Sequence, residues 1–446
     1  MRALPPAEAS RTESGPIPDL APQRLSPEDL SILALENETV AGHTCKVITL
    51  QDSIDAAQLR SSIAGRLHRA PRLSLRLGEI DGAPWWVPDP DVDVSAHVVA
   101  QDRVGPLDEA AFRAAVADIF RQHLDRSRPL WRIDVIGQLE SGGTALAWRI
   151  HHALADGSTA MRLAGAVLWD EEPAAGAPPA RSRPRAARPA EASARRRLDG
   201  IRAVAREVPQ PWLRSPFDGH IGARREVAFA STALDDLHRA AAAAGATVND
   251  AVLTVVAGGL RRWLESHHGQ LGAVRVKVPV SLHGLSGGPA ASGPAQGNRD
   301  SFFCLDLPLG PADPLERLTE IQAATRVRKQ EHDAQYLDAV MHGLARTPRL
   351  AQFVQRVLAH PRSFALNVSD VPGPRRPVQV LGAPVRELYT LAEIREQHAL
   401  RVAVVSLAGT LNFGLVADPT LLSDVDRLAA DLQAEAGALV AAALPG

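Results

Sequence analysis

Apolar and polar positions along this chain fall into two kinds of pattern. Residues 44–50 have the β-branched and apolar content of a strand. Over 53–69 the apolar residues Ile54, Leu59, Ile63 and Leu67 recur at helical spacing. Trp85, Trp86 and Val87 form a short strand closed by Pro88 and Pro90. A longer helix is predicted around 107–124, with strands over 131–136 and 144–150. In the second half, strands are predicted at 226–229, 274–280, 302–307, 364–368, 403–408 and 410–416, with helices between them. Three helix starts are marked by their caps. Ser26 precedes Pro27, Glu28 and Asp29; Thr247 is followed by Asp250; Ser423 is followed by Asp426.

A composition shift divides the chain. Residues 1–22 are rich in Pro, Ala, Ser and Glu without an apolar run, and read as a disordered lead rather than a signal peptide. Residues 171–222 are an interdomain linker, rich in Pro, Ala, Arg and Ser in its first part; its Arg-rich run 181–197 is a solvated segment able to touch anionic lipid. The expected domains are 23–170 and 223–446. Interleaved strands and helices on both sides predict an α/β sandwich in each half, with a site between them.

The chain has 446 residues, 45% hydrophobic and 22% charged, as a folded two-domain protein should. Its formal net charge of −2 excludes a global basic field for nucleic acid. Cys45 and Cys304 lie in no ligand or redox spacing and are expected to be reduced, buried thiols of a cytoplasmic protein. No apolar run is long enough to span a bilayer.

The sharpest chemical feature is His151-His152-Ala153-Leu154-Ala155-Asp156-Gly157, between a strand and a helix. Strand alternation puts Leu146, Trp148, Ile150 and His152 on one face and Ala147, Arg149 and His151 on the other, so the histidines need not share a task. His152 sits where a loop can present it to a cleft. Gly157 lets the chain turn into the helix, and Asp156 can cap that helix or fix the loop. An imidazole so held can take a proton from a hydroxyl, whose oxygen then attacks a thioester. Adjacent histidines do not match helical metal spacing, and no metal is expected. Two core histidines remain the structural alternative.

The segment resembles the HHxxxDG motif of the chloramphenicol-acetyltransferase-like CoA-dependent acyltransferases, which condensation domains of peptide synthetases share. Over nearly its whole length the chain resembles the bacterial wax ester synthase/diacylglycerol acyltransferase family. The opening Leu25-Ser26-Pro27-Glu28-Asp29 is similar to the family's start. Pro129-Leu130-Trp131 matches its PLW motif, and Asn249-Asp250 its ND motif. Gly297-Asn298 resembles its glycine-asparagine step, Val371-Pro372-Gly373-Pro374 most of its NVPGP motif, and residues 413–418 its C-terminal pattern. The resemblance implies two chloramphenicol-acetyltransferase-like α/β sandwich domains with the active-site tunnel between them. It implies His152 and Asp156 as catalytic, with His151 and Gly157 supporting, and acyl-CoA as co-substrate without a permanently bound cofactor. The acceptor would be diacylglycerol or a fatty alcohol. Localisation would be cytoplasmic, or peripheral on the inner membrane face or on lipid inclusions.

Two positions depart from the pattern: Asp370 stands where the family has Asn, and His283 where it commonly has Arg. Asn249, Asp250, Asn298, Ser369 and Trp131 are candidates for substrate binding or the tunnel wall. Each also has a structural reading: Trp131 as a core residue, Asp250 as a capping partner of Thr247, Ser369 as a turn serine, Asn298 as a loop residue. Two other functions stay open on the sequence: a condensation-like enzyme with another acceptor, and a non-catalytic lipid-binding member of the fold.

Overall fold

The computed structural model describes residues 20–101, 105–171, 215, 217–269, 272–281, 300–330, 363–395 and 397–444. Most of the expected linker lies outside them, as do Asn298 and His283. In chain order the strands are β1 (Gln23–Arg24), β2 (His43–Leu50), β3 (Leu75–Ile80), β4 (Ala83–Pro88), β5 (Val98–Ala100), β6 (Trp131–Gln138), β7 (Thr144–His151), β8 (Glu226–Ala233), β9 (Ala273–Ser281), β10 (Asp300–Pro308), β11 (Leu366–Val371), β12 (Gln379–Val380), β13 (Ala383–Ala392), β14 (Leu400–Leu407) and β15 (Thr410–Ala417). Two six-stranded sheets run in the orders β12-β13-β2-β7-β6-β5 and β10-β9-β11-β14-β15-β8; β1, β4 and β3 make a small third sheet.

The strand order corrects the expected split into consecutive halves. β12 and β13 come from the second half of the sequence but complete the first sheet. The reason lies in β2, which is buried at all eight positions. A buried strand must satisfy the backbone groups of both edges. β7 covers one edge and β13 the other, with Tyr389 opposite Val47 and Thr390 opposite Lys46. β13 also lies tightly on the second sheet. A Cβ at Gly414 in β15 would collide with the Thr390 carbonyl and meet the Leu391 side chain at 3.0 Å.

Each sheet buries its faces as alternation requires. In the first, Ile48, Leu146, Trp148 and Ile150 join one apolar cluster, while Cys45, Val47, Ala145 and Ala147 join another beneath the helix Glu109–Phe120. In the second, Val276, Leu366, Val368, Val402, Val404 and Leu415 pack under the helices Val248–His267 and Val425–Ala443. Val405 and Val416, on the opposite face, belong to the clusters of the first sheet. That face of the second sheet therefore looks toward the first.

The caps at Ser26 and Thr247 form as reciprocal boxes with Asp29 and Asp250. The one expected at Ser423 does not. The N-cap of the last helix is Asp424, at a left-handed φ of 59° with no side-chain capping bond. Asp426 instead pairs with Arg113 at 2.9 Å, and Asp424 lies 3.6 Å from His267.

Gly258 and Gly259 let the helices Val248–His267 and Val425–Ala443 approach closely. Glu435 sits against Gly258 and pairs with the fully buried Arg317. We expect Gly258→Ala to push Glu435 out of this pair and strand a buried guanidinium, destabilising the protein by about 3–5 kcal/mol. A denaturant midpoint shift of less than about 1 kcal/mol would show that the helices move apart at little cost.

Candidate active site

β7 delivers the two histidines to the end of the first sheet. Its last residue, His151, pairs with His43 in β2 and is 1% exposed. The Nδ1 of His151 accepts from the Ala153 N–H at 3.1 Å, which sets the proton on Nε2. That nitrogen lies 3.3 Å from Glu36 Oε2. Burial raises the Glu36 pKa, but hydrogen bonds from His151 and Arg126 outweigh it and the net direction is down. Gly42, at a φ of +70°, leaves the room for this ring: a Cβ there would come within 2.6 Å of His151 Nε2. His151 is thus a structural strut of the loop.

His152 leaves the strand and faces differently. Its backbone N–H donates to the Gly42 carbonyl at 3.0 Å, and the residue is half-buried, unlike its neighbour. Arg72 reaches across from the segment before β3 and donates to the carbonyls of Leu154 and Ala153. Asp156, 1% exposed, caps the helix Gly157–Val167. Its Oδ1 accepts from the Thr159 N–H at 2.6 Å and from Ser158 Oγ at 2.9 Å. The loop is therefore fixed by its backbone, from Gly42, Arg72 and the Asp156 cap. Gly157 has a different reason from the expected turn. It carries no positive φ, but a Cβ there would meet Val371 Cγ2 at 2.8 Å. The start of this helix and the end of β11 touch at that point, so the His loop abuts the second sheet.

Electrostatics separate His152 from an ordinary histidine. Burial first, and then the positive charges of Arg395 and Arg401, bring its pKa down to about 3, with Asp156 opposing. The imidazole is neutral across the physiological range. Asp370 is exposed, yet desolvation alone pushes its carboxyl up to about 6. His152 likewise combines partial exposure with a desolvation-driven shift. Ser369 is half-buried in β11 on the same strand face as Val371, and Asn249 is half-buried at the start of its helix.

Two candidates are placed in local structure. Trp131 is 2% exposed in the core of the first half; its indole N–H donates to the Leu73 carbonyl at 2.8 Å and its ring stacks on His97 at 4.3 Å. Asp250 is 2% exposed, with Oδ2 taken by Thr247 and Oδ1 by Thr325. Both side chains are engaged by local structure. The structure adds residues that had no local signature: Gly42, Glu36 and Arg72 around the loop, Arg395 and Arg401 opposite His152, and Lys46 beneath. Lys46 is 1% exposed and donates to Thr390 Oγ1 at 2.6 Å. Burial lowers its pKa to about 8, while the charge of Asp156 opposes the fall.

A lowered lysine pKa has a defined effect on stability. Between about pH 8 and the unfolded value of 10.5 the unfolded chain binds more protons, so stability rises with pH through that window. Below it, the buried charge is a net penalty. Lys46→Met should raise stability at pH 7 by up to about 3 kcal/mol, and the gain should vanish near pH 10. Thermal melts at the two pH values test this; an equal effect at both would show that charge is not the cause.

Comparison with known proteins agrees with this geometry. The model of the wax ester synthase/diacylglycerol acyltransferase catalytic domain matches residues 25–211 and 181–252, and that of the family's C-terminal domain matches 296–439. A probable diacylglycerol O-acyltransferase of Mycobacterium tuberculosis, tgs1, is 29% identical over 87% of this chain and 88% of its own length. A putative diacylglycerol O-acyltransferase of Mycobacterium bovis is 31% identical over 89% of this chain and 85% of its own. Among solved structures, the wax ester synthase/diacylglycerol acyltransferase of Marinobacter aquaeolei VT8 superposes with a TM-score of 0.70 at 24% identity, covering 95% of this chain and 100% of that one. A starter condensation domain of rhizomide synthetase, solved with C8-CoA, gives 0.58 at 15% identity over 93% and 95% of the two chains. The chain belongs to the wax ester synthase/diacylglycerol acyltransferase family and is an O-acyltransferase.

Proposed function

We propose that the chain moves a long-chain fatty acyl group from acyl-CoA to diacylglycerol or a fatty alcohol, with His152 as general base. One observation carries the choice of base. Of the two histidines, His152 keeps solvent contact, while His151 is buried against Glu36 and the Ala153 N–H. The names of the relatives support diacylglycerol as acceptor, and the C8-CoA in the condensation domain supports a CoA thioester as donor. The acceptor hydroxyl gives its proton to the neutral imidazole and attacks the thioester carbon directly. Asp156 acts through the loop: its cap fixes the backbone that carries His152, and its charge favours the imidazolium.

His152→Ala should lower kcat by about 10²–10⁴-fold with the fold unchanged by circular dichroism. Turnover near the native value would remove His152 from the mechanism. The pH profile offers a second reading. Because the imidazole protonates far below its ordinary value, kcat/KM should hold down to about pH 4–5 wherever the protein stays folded. An acid limb near 6.5 would mean an unperturbed base.

We also propose a peripheral attachment to membranes or lipid inclusions, because the substrates are lipid-soluble. Among the described residues no single helix is long and apolar enough to cross a bilayer. Salt or mild alkali should release the protein from membranes; a requirement for detergent would count against the proposal.

A further inference from the structure

The backbone on both sides of His152 is bracketed by hydrogen bonds. Its own N–H donates to the Gly42 carbonyl at 3.0 Å. The next N–H, of Ala153, donates to Nδ1 of His151 at 3.1 Å and closes a small ring around residue 152. The following two amides, of Leu154 and Ala155, both donate to the His151 carbonyl, at 2.9 and 3.1 Å. The turn that presents His152 is therefore built on His151, by its imidazole on one side and its carbonyl on the other. That imidazole can accept from Ala153 only while Nδ1 carries no proton.

The other ring nitrogen meets a segment distant in sequence. Glu36 Oε2 lies 3.3 Å from His151 Nε2, with the two side chains only 9% and 2% exposed. Burial raises the Glu36 pKa, but His151 and Arg126 bring it below the ordinary value, so the carboxylate is ionised at neutral pH and can only accept. The proton between the two atoms then belongs to Nε2. Glu36 is itself held from outside. Arg126 Nε and Nη2 donate to Oε2 at 3.1 and 2.6 Å, and Nη2 also donates to the Leu33 carbonyl at 3.1 Å. Beyond Glu36 the chain makes a tight turn, closed by bonds in both directions between Asn37 and Val40 at 3.0 and 3.1 Å, and returns to Gly42. One segment thus meets the His loop twice: Glu36 at the ring of His151, Gly42 at the backbone of His152.

We propose that Glu36 is a positioning residue for acyl transfer: by pairing with the Nε2–H of His151 it keeps Nδ1 free for Ala153, and so holds the turn from which His152 presents its imidazole. The inference rests on the reading of His152 as general base. Glu36 itself need touch no reacting atom. Its contribution is to the geometry in which hydroxyl and imidazole meet, where a displacement of about 1 Å lowers the rate by about 10²-fold. Among the described residues His151 Nε2 has no other partner. Removing Glu36 leaves a buried donor unmet, and turning the ring or moving the proton to Nδ1 would relieve it. Either change breaks the bond to Ala153. An effect confined to the placement of the base falls on kcat rather than KM.

A mutant cycle on the full-length protein tests the route from Glu36 to the base. Glu36→Ala should lower kcat at least about tenfold, with KM for acyl-CoA within about twofold of the native value. Glu36→Gln, whose amide oxygen can still accept from Nε2–H, should keep most of the activity. In a His151→Ala background, Glu36→Ala should add no further loss, because its route to His152 is gone. Native kcat in a folded Glu36→Ala protein would overturn the proposal, as would a Glu36→Gln protein as impaired as Glu36→Ala. The same fractional loss in both backgrounds would also sink it, since Glu36 would then act by holding its own segment through Arg126. Should the alanine variants fail to fold, the native protein supplies the test. Nitrogen-15 spectra of histidine-labelled protein at neutral pH should show the His151 proton on Nε2, the signal being identified by its loss in His151→Gln. A proton on Nδ1 would end the proposal. If Glu36→Ala is impaired but His152→Ala turns over normally, the general-base reading falls and takes the role of Glu36 with it. If His152→Ala is inactive and Glu36→Ala is native, only the role of Glu36 falls.

Discussion

The pairing of β2 on both of its edges governs the rest of this molecule. The strand is buried throughout, so each of its backbone groups needs a partner from protein. β7 follows within the same half. The other partner, β13, arrives from more than 300 residues further along and brings the second sheet with it. Once β13 lies between β2 and the glycine-relieved surface of β15, the offset of the two sheets is set. The ion pair of Arg225 with Glu393, just past β13, closes the same junction, and Glu393 also holds the backbone at Ala41. The next residue, Gly42, anchors His152 and makes space for His151. The position of the His152 imidazole is thus tied, through a handful of bonds, to how the halves are joined.

That junction also determines the local electrostatics. Little of the His152 environment comes from its own motif beyond the Asp156 cap. The charges acting on it come from Arg395 and Arg401 on the far side of the interface, and those acting on Asp156 include Lys46 from below. A loop held by backbone hydrogen bonds keeps its geometry while charges around it change, which suits a site where a proton moves during each turnover.

Local signals were legible in the sequence and distant ones were not. The His151–Gly157 motif, the Ser26 and Thr247 boxes and the apolar periodicity of β2 and β7 all act within a few residues, and the structure has each of them where the pattern put it. β13 was missed because Pro384, Arg386 and Glu387 interrupt its apolar run, and because its reason for being a strand is the bare edge of β2. The Ser423 cap failed to a tertiary competitor, Arg113, that spacing cannot reveal. Trp131 and Asp250 show the opposite limit. A recognisable motif marks that a residue matters, yet burial shows these two serve packing and capping. Arg401 reads as one polar position in an apolar strand, and only the register with Asn367 and the facing of Val405 and Val416 give it a direction.

The late arrival of β13 has a consequence during synthesis. A ribosome moving at about 5–20 residues per second would take roughly 10–50 s to pass from β7 to the end of β13. Throughout that interval the nascent first sheet has an open edge at β2, flanked by Val47, Ile48 and Leu50. Such an edge is a template for any other extended chain nearby. The nascent chain must therefore either delay forming that sheet or be shielded by another protein until its own C-terminal half emerges. A fold that shapes its reaction site from both ends of the polypeptide exposes its most adhesive surface before that site exists.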